Sequence, residues 1–173
     1  RKLGKTLLVS LVVFSFLGIP ALAADFNPNS IITEDALRDR NSLSQSQIQT
    51  FLESKEGTLD TYQTISQGKD QNGNSIAERT ISAAEAFFEV GQRWNISPKF
   101  LLVLVQKEMS LVTHPAPEPK RYDWATGYAV CDSCSLDDPA IQRWRGFYKQ
   151  INSAAGSASV WGSIRRTSSP ATP

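Results

Sequence analysis

The chain has 173 residues, 40% of them hydrophobic and 20% charged, with a formal net charge of +1. That composition excludes an intrinsically disordered chain and a membrane-embedded bundle. The near-neutral charge supplies no basic field, so nucleic acid is not expected as a partner.

The first 23 residues differ in kind from the rest. Arg1, Lys2 and Lys5 precede the apolar run TLLVSLVVFSFLGI, which is too short to span a bilayer comfortably. Pro20 interrupts it, and ALA at 21–23 has the small-residue pattern of a cleavage site. This predicts a secretory signal cleaved after Ala23. The product is expected to be secreted, extracellular or cell-wall associated, with no stable membrane span. An uncleaved N-terminal anchor is the alternative. No cysteine follows the apolar run, so a lipoprotein is not indicated. Cleavage would remove three basic residues and no acidic one, leaving a slightly acidic chain.

Further along, SLSQSQIQTFLESKEG reads as a short amphipathic helix. Ser44 and Gln47 have capping-box spacing, Ile48, Phe51 and Leu52 share a face, and Gly57 ends the segment. GKDQNGNS at 68–75 is turn chemistry centred on Asn72-Gly73. Asp70, Asn72 and Asn74 fall at calcium-loop spacing, but Ser75 stands where such a loop needs glycine and Ile81 where it needs glutamate. A simple turn is the expectation, with no metal. Ser75 and Glu78 make a second capping-box pattern, ahead of a helix with Ala77, Ile81, Ala84, Phe88 and Gly91 on one stripe, ending near Trp94. Ser97 and Pro98 then suit the N-cap and first turn of the next helix.

That next helix, PKFLLVLVQKEMSLV at 98–112, carries a carboxylate inside an apolar pattern. With Phe100 at zero on a wheel of about 100° per residue, Leu111, Leu104, Leu101, Val112 and Val105 cover the arc from ~20° to ~140°, and Glu108 falls at ~80°. Lys99, Gln106 and Ser110 cluster at ~240–280°, on the other side. Glu108 is thus expected among buried residues. A carboxylate buried without partners takes up a proton, which is what a general acid needs near neutral pH. The alternatives are a structural ion pair with Arg121 or Arg143, or a helix end that protrudes beyond the core.

After this helix, the three prolines of THPAPEPKRYDW forbid a regular helix, and ATGYAVCDSCSLDDP reads as loop or a short hairpin. Cys131 and Cys134 are expected to form a local disulfide in an oxidising compartment. A thioredoxin-type redox site lacks its βαβ setting. Zinc lacks ligands, because there is no second cysteine pair and His114 is the only histidine. His114 itself reads as a loop residue. PAIQRWRGFYKQINSAAG is a further helical stretch with Ile141, Trp144, Phe147, Tyr148 and Ile151 near helical spacing. The end of the chain is Ser/Ala-rich and patternless.

The stretch NISPKFLLVLVQKEMSLV resembles the catalytic-helix motif of the lysozyme-like superfamily, in which lytic transglycosylases and bacterial glucosaminidases carry a glutamate near the end of an apolar helix. In that motif serine commonly follows the glutamate directly; here Met109 intervenes before Ser110. SLSQSQIQTFLESK, SPKFLLVLVQKEMSLVT, ATGYAVC and RGFYKQI look like successive blocks of secreted bacterial proteins of the superfamily, covering about residues 31–155. The resemblance implies a mainly α, lysozyme-like domain with a short β-hairpin or loop region, incomplete at the C-terminus where the likeness stops. It divides the chain into a signal peptide (1–23), an N-terminal helical extension (24–67), a catalytic domain (68–155) and a low-complexity tail (156–173).

Its implied substrate is the peptidoglycan glycan strand, cleaved by a monomer without a cofactor. Glu108 would protonate the glycosidic oxygen and then act as base on the muramyl C6 hydroxyl, giving a 1,6-anhydro product. That route needs one carboxylate, whereas a hydrolase usually needs a second. Asp123, Asp132, Asp137 and Asp138 are candidates for that second group but lie in loops without a motif. Aromatic faces stack on pyranose rings, so Tyr122, Trp124, Tyr128 and Tyr148 are expected to bind substrate, with Gly127 close to it. Trp144 and Phe147 read as core. Gln150 is a substrate-binding candidate because GFYKQ resembles a cleft-lining Gly…Gln element, although the pair is four apart here and three in the family. A wall-binding module without catalysis, and a helical protein with no sugar ligand, are the rival readings.

Overall fold

The computed structural model describes residues 31–167, with side chains through residue 160. The expected signal peptide lies outside the described residues. From Ile32 onward the chain falls in one unit.

The elements are mostly helical. Two short helices, α1 (Glu34–Arg38) and α2 (Gln45–Glu53), lead to a hairpin of β1 (Gln63–Ser66) and β2 (Arg79–Ser82). The longer helices α3 (Ala83–Trp94) and α4 (Pro98–Met109) follow. Two single-turn helices, α5 (Pro119–Asp123) and α6 (Pro139–Gln142), precede the long α7 (Phe147–Thr167).

The capping box at Ser44 and Gln47 forms as its spacing implies and starts α2. The second box does not. Ser75 and Glu78 give way to Ser82, whose hydroxyl accepts from the Glu85 N–H and starts α3 seven residues later. The intervening residues are taken by pairing: Thr64 opposes Ile81 and Ile65 opposes Thr80 in an antiparallel ladder. β-branched side chains favour that pleated setting over a helix start. The hairpin therefore lies at 63–82, whereas 125–138 contains turns and no strand. Its two strands lie on either side of residue 67, the expected end of the N-terminal extension.

The other corrections have similar local causes. Pro119 can occupy the first turn of a helix, so α5 forms within the proline-rich stretch. Gly146, at φ 117°, breaks the expected helix over 139–156 into α6 and α7. Residues 156–167, expected to be patternless, continue α7. Gly57 does not end α2, which stops at Glu53. Its role is close approach: a Cβ there would lie 2.7 Å from the Leu111 carbonyl oxygen and closer still to that of Val112.

The core sits where α3 meets α2, α4 and α7. Phe87 of α3 meets Phe147 of α7 edge to face at 5.6 Å, and Tyr62 meets Phe147 at 5.3 Å. Ile48, Leu52, Val90, Leu101, Val105 and Ile151 are buried around them. Truncating a buried phenylalanine such as Phe147 costs about 3–5 kcal/mol in comparable cores. Among the described residues no helix is long and apolar enough to cross a membrane.

Candidate functional site

Helix α4 ends earlier than its apolar pattern suggests. Ser110 adopts a left-handed conformation (φ 57°, ψ 22°) and caps the helix after Met109. Leu111 and Val112 are buried, but in the turn that follows, where the Val112 N–H donates to the Gln106 side-chain oxygen at 3.0 Å. The buried residues of α4 are Pro98, Leu101, Leu102 and Val105. They centre near ~150° on the helical wheel, so Glu108 at ~80° is at the edge of the buried face, not its middle.

The expected burial of Glu108 is accordingly not found. Its side chain keeps 32% of its surface exposed, and Lys107 Nζ lies 2.6 Å from its Oε1. The partner is neither Arg121 nor Arg143. Arg121 donates to the Met109 carbonyl at 2.9 Å, satisfying an open end of α4. Arg143 lies over the Trp144 ring at 4.9 Å. Ser110, by adopting the left-handed cap, turns the chain away immediately after the Glu108 turn.

Opposite Glu108 stands the loop 124–130. A Cβ placed on Gly127 would be 4.0 Å from Glu108 Oε2, so the glycine backbone lies close to the carboxylate. Gly127 has φ 65°, a conformation that favours glycine. What fixes this loop is Gln150, which is fully buried on α7. Its Oε1 accepts from the Tyr128 N–H at 2.9 Å, the Thr126 hydroxyl at 3.1 Å and the Thr126 N–H at 3.4 Å. Its Nε2 donates to the Tyr128 carbonyl at 3.1 Å and the Trp144 carbonyl at 3.0 Å. Both donors of the amide are used, so Gln150 holds the loop and has no donor left for a sugar.

The remaining candidates divide between core and surface. Tyr148 is completely buried; its hydroxyl accepts from Arg93 at 2.6 Å and reaches Glu89 at 3.4 Å. Burial pushes its phenol up, against the opposing pull of Arg93. Trp124 is also buried. Neither offers a face to substrate. Tyr122 is half-buried, stacked on Tyr62 at 4.1 Å and 8°, and hydrogen-bonded to Thr58. Gly127 is partly exposed and near Glu108, and Tyr128 is partly exposed at a neighbouring groove. Asp123 is held by Arg145 at 2.7 Å and Asp138 caps α6, while Asp132 and Asp137 are exposed in the loop. Cys131 and Cys134 are disulfide-bonded just beyond Tyr128. Among the described residues no group of three or more His, Cys, Asp or Glu could hold a metal ion.

Next to this loop runs a groove of about 900 Å³ that Glu108 does not line. Tyr128 and Trp144, whose rings meet edge to face at 5.2 Å, form one wall. Trp94 and the turn 68–71 form another. Trp144, expected in the core, is only partly buried here. Trp94 and Asn152 carried no sequence signal of a site. Asn152 lies two residues beyond Gln150 and does the same work for the other wall. It accepts from the Trp94 indole N–H at 2.9 Å and donates to the Lys69 carbonyl at 2.9 Å. Two buried amides two residues apart on one helix, each with a distant backbone partner, are the signal that could have revealed it.

No protein-family model matches the chain, and comparison with curated proteins and with solved structures finds no match.

Proposed function

We propose that this chain is a peptidoglycan-cleaving glycosidase of the lysozyme-like kind, secreted by way of its N-terminal segment, with Glu108 as its general acid and base. The observation that carries the reading is the Glu108 carboxylate at a helix end, facing the bare backbone of Gly127 in a loop held by the buried Gln150 amide. A glycosidic oxygen entering between the two would meet one carboxylate and one rigid wall. Asp123 is committed to Arg145, which favours the one-carboxylate, transglycosylase-like course over a two-carboxylate hydrolysis. In that course Glu108 gives its proton to the leaving oxygen and then takes one from the muramyl C6 hydroxyl, closing a 1,6-anhydro ring.

A second reading, a wall-binding module without catalysis, is favoured by the Lys107–Glu108 ion pair and by an aromatic groove that lies off the carboxylate. Digestion of purified sacculi followed by mass spectrometry separates the two. Release of anhydro-ended muropeptides, lost in Glu108→Gln while sacculus binding persists, is the expected result. Products with reducing ends would replace transglycosylation by hydrolysis. Binding with no product from the wild-type chain would sink the enzyme reading in favour of the module, and absence of both would remove the two together.

A further inference from the structure

We propose that the groove between the 68–71 turn and α7 binds a saccharide bearing a carboxylate, at a place separate from Glu108. Its sugar preference rests on the glycan reading above; its charge preference does not. Three aromatic rings, Trp94, Tyr128 and Trp144, line it, and such faces pack on the apolar sides of pyranose rings. The Trp94 indole N–H is consumed by Asn152, and its ring lies against Gly156, where a Cβ would approach it to 3.2 Å. Trp94 is therefore seated before any ligand arrives, as are the carbonyls of Lys69, Tyr128 and Trp144. Such preorganisation lowers the entropy lost on binding. The volume falls within the roughly 300–1,000 Å³ of small-ligand sites.

The charges give the ligand its sign. Lys69, Arg143 and Lys149 line the groove against a single carboxylate, Asp70. Arg143 and Lys149 have no carboxylate partner among the described residues. Asp70 keeps its negative charge but is held within its own turn, so the three cations outnumber it in the groove. Oδ1 accepts from the Asn72 and Asn74 N–H groups, both at 2.8 Å, and Oδ2 accepts from the Asn74 amide at 3.2 Å. The Arg143 guanidinium lies over the Trp144 ring, 4.9 Å from its centroid, which holds the charge at an aromatic face. A carboxylate on a sugar packed beside Trp144 would meet that charge.

Isothermal titration calorimetry on the whole chain tests this with trigalacturonate, neutral chitotriose and triglutamate as probes. Trigalacturonate is expected to bind at least about tenfold more tightly than either of the others, as charge-assisted hydrogen bonds require. The double variant R143E/K149E is expected to lose about tenfold or more of that affinity with an unchanged melting temperature. Glu108→Gln is expected to bind as the wild type does. Equal affinity for chitotriose, equal affinity for triglutamate, or undiminished binding by the charge-reversed variant would each overturn the proposal. So would a loss in Glu108→Gln matching that of the double variant, since it would move the ligand to Glu108. Muropeptide release does not enter this test, so failure of the catalytic reading leaves its outcome distinct.

Discussion

The two loops that wall the groove lean on distant residues to different degrees. The turn 68–75 is closed mainly from within: Asp70 accepts the N–H groups of Asn72 and Asn74, the Gly73 N–H closes back on the Asp70 carbonyl, and a single long-range bond runs from Asn152 to the Lys69 carbonyl. The loop 124–130 also closes on itself, through the Gly127 N–H to the Trp124 carbonyl and the Val130 N–H to the Gly127 carbonyl, but it leans far more on a distant residue. Its backbone is tied to Gln150, twenty-two to twenty-four residues away on α7. A turn built from neighbouring residues forms with local entropy alone. A loop fastened to a distant buried amide exists only when the whole fold does. The loop facing Glu108 is of the second kind, so its geometry should be as cooperative as the core.

The largest effect should come from removing the distant anchor. Gln150→Leu leaves buried groups of Thr126, Tyr128 and Trp144 unpaired, each worth about 1–3 kcal/mol, and should cost at least about 3 kcal/mol in urea denaturation. Glycan release should disappear with it. Next is Gly127→Ala, where a left-handed non-glycine residue costs about 1–2 kcal/mol. Because the new methyl would point at Glu108, activity should fall further than the stability loss accounts for; equal falls would show that substrate does not enter there. Asp70→Ala breaks the locally closed turn and should cost only about 1 kcal/mol, with faster hydrogen exchange confined to 70–74. Spread of that exchange into 124–130 would contradict the contrast between the loops.

The smallest effect is one of pH. Tyr62, beneath Tyr122, has its phenol pushed up from 10.0 to about 12 by burial, with Tyr122 and Asp123 adding to the shift. The folded state therefore holds this proton more tightly than the unfolded chain. Its contribution is fully present below pH 10 and is lost as pH rises toward 12. The urea midpoint of Tyr62→Phe should decline less steeply than that of the wild type across that interval, and parallel curves would remove Tyr62 from the account.

The same contrast explains what could be read from the chain alone. The Asp70 turn, the Ser44–Gln47 box and Pro98 at a helix start were legible, because each is a relation among residues within a few positions. The end of α4 was not: Ser110 takes a left-handed cap without glycine, and nothing nearby announces it. Counting Leu111 and Val112 into the helix moved Glu108 into the buried arc. Two serines, Ser75 and Ser82, offer helix starts around 75–85, and strand pairing with 63–66 leaves the start to Ser82. Gln150 was noticed for a substrate role, while its actual partners lay in a loop that no local pattern connects to it. Mainly helical architecture followed from periodicity; the grouping of Trp94, Tyr128 and Trp144 required the fold.

Gly57 carries a consequence for how this chain can change. The segment before the hairpin lies so close to the carbonyls of Leu111 and Val112 that even a methyl group has no room. Those carbonyls belong to the turn that begins one residue after Met109. The N-terminal segment and the turn behind Glu108 are therefore a matched pair, and neither can drift in sequence or be exchanged for another protein's version without its counterpart. A protease that cuts between α2 and β1 would disturb the end of α4 as surely as one that cuts beside it.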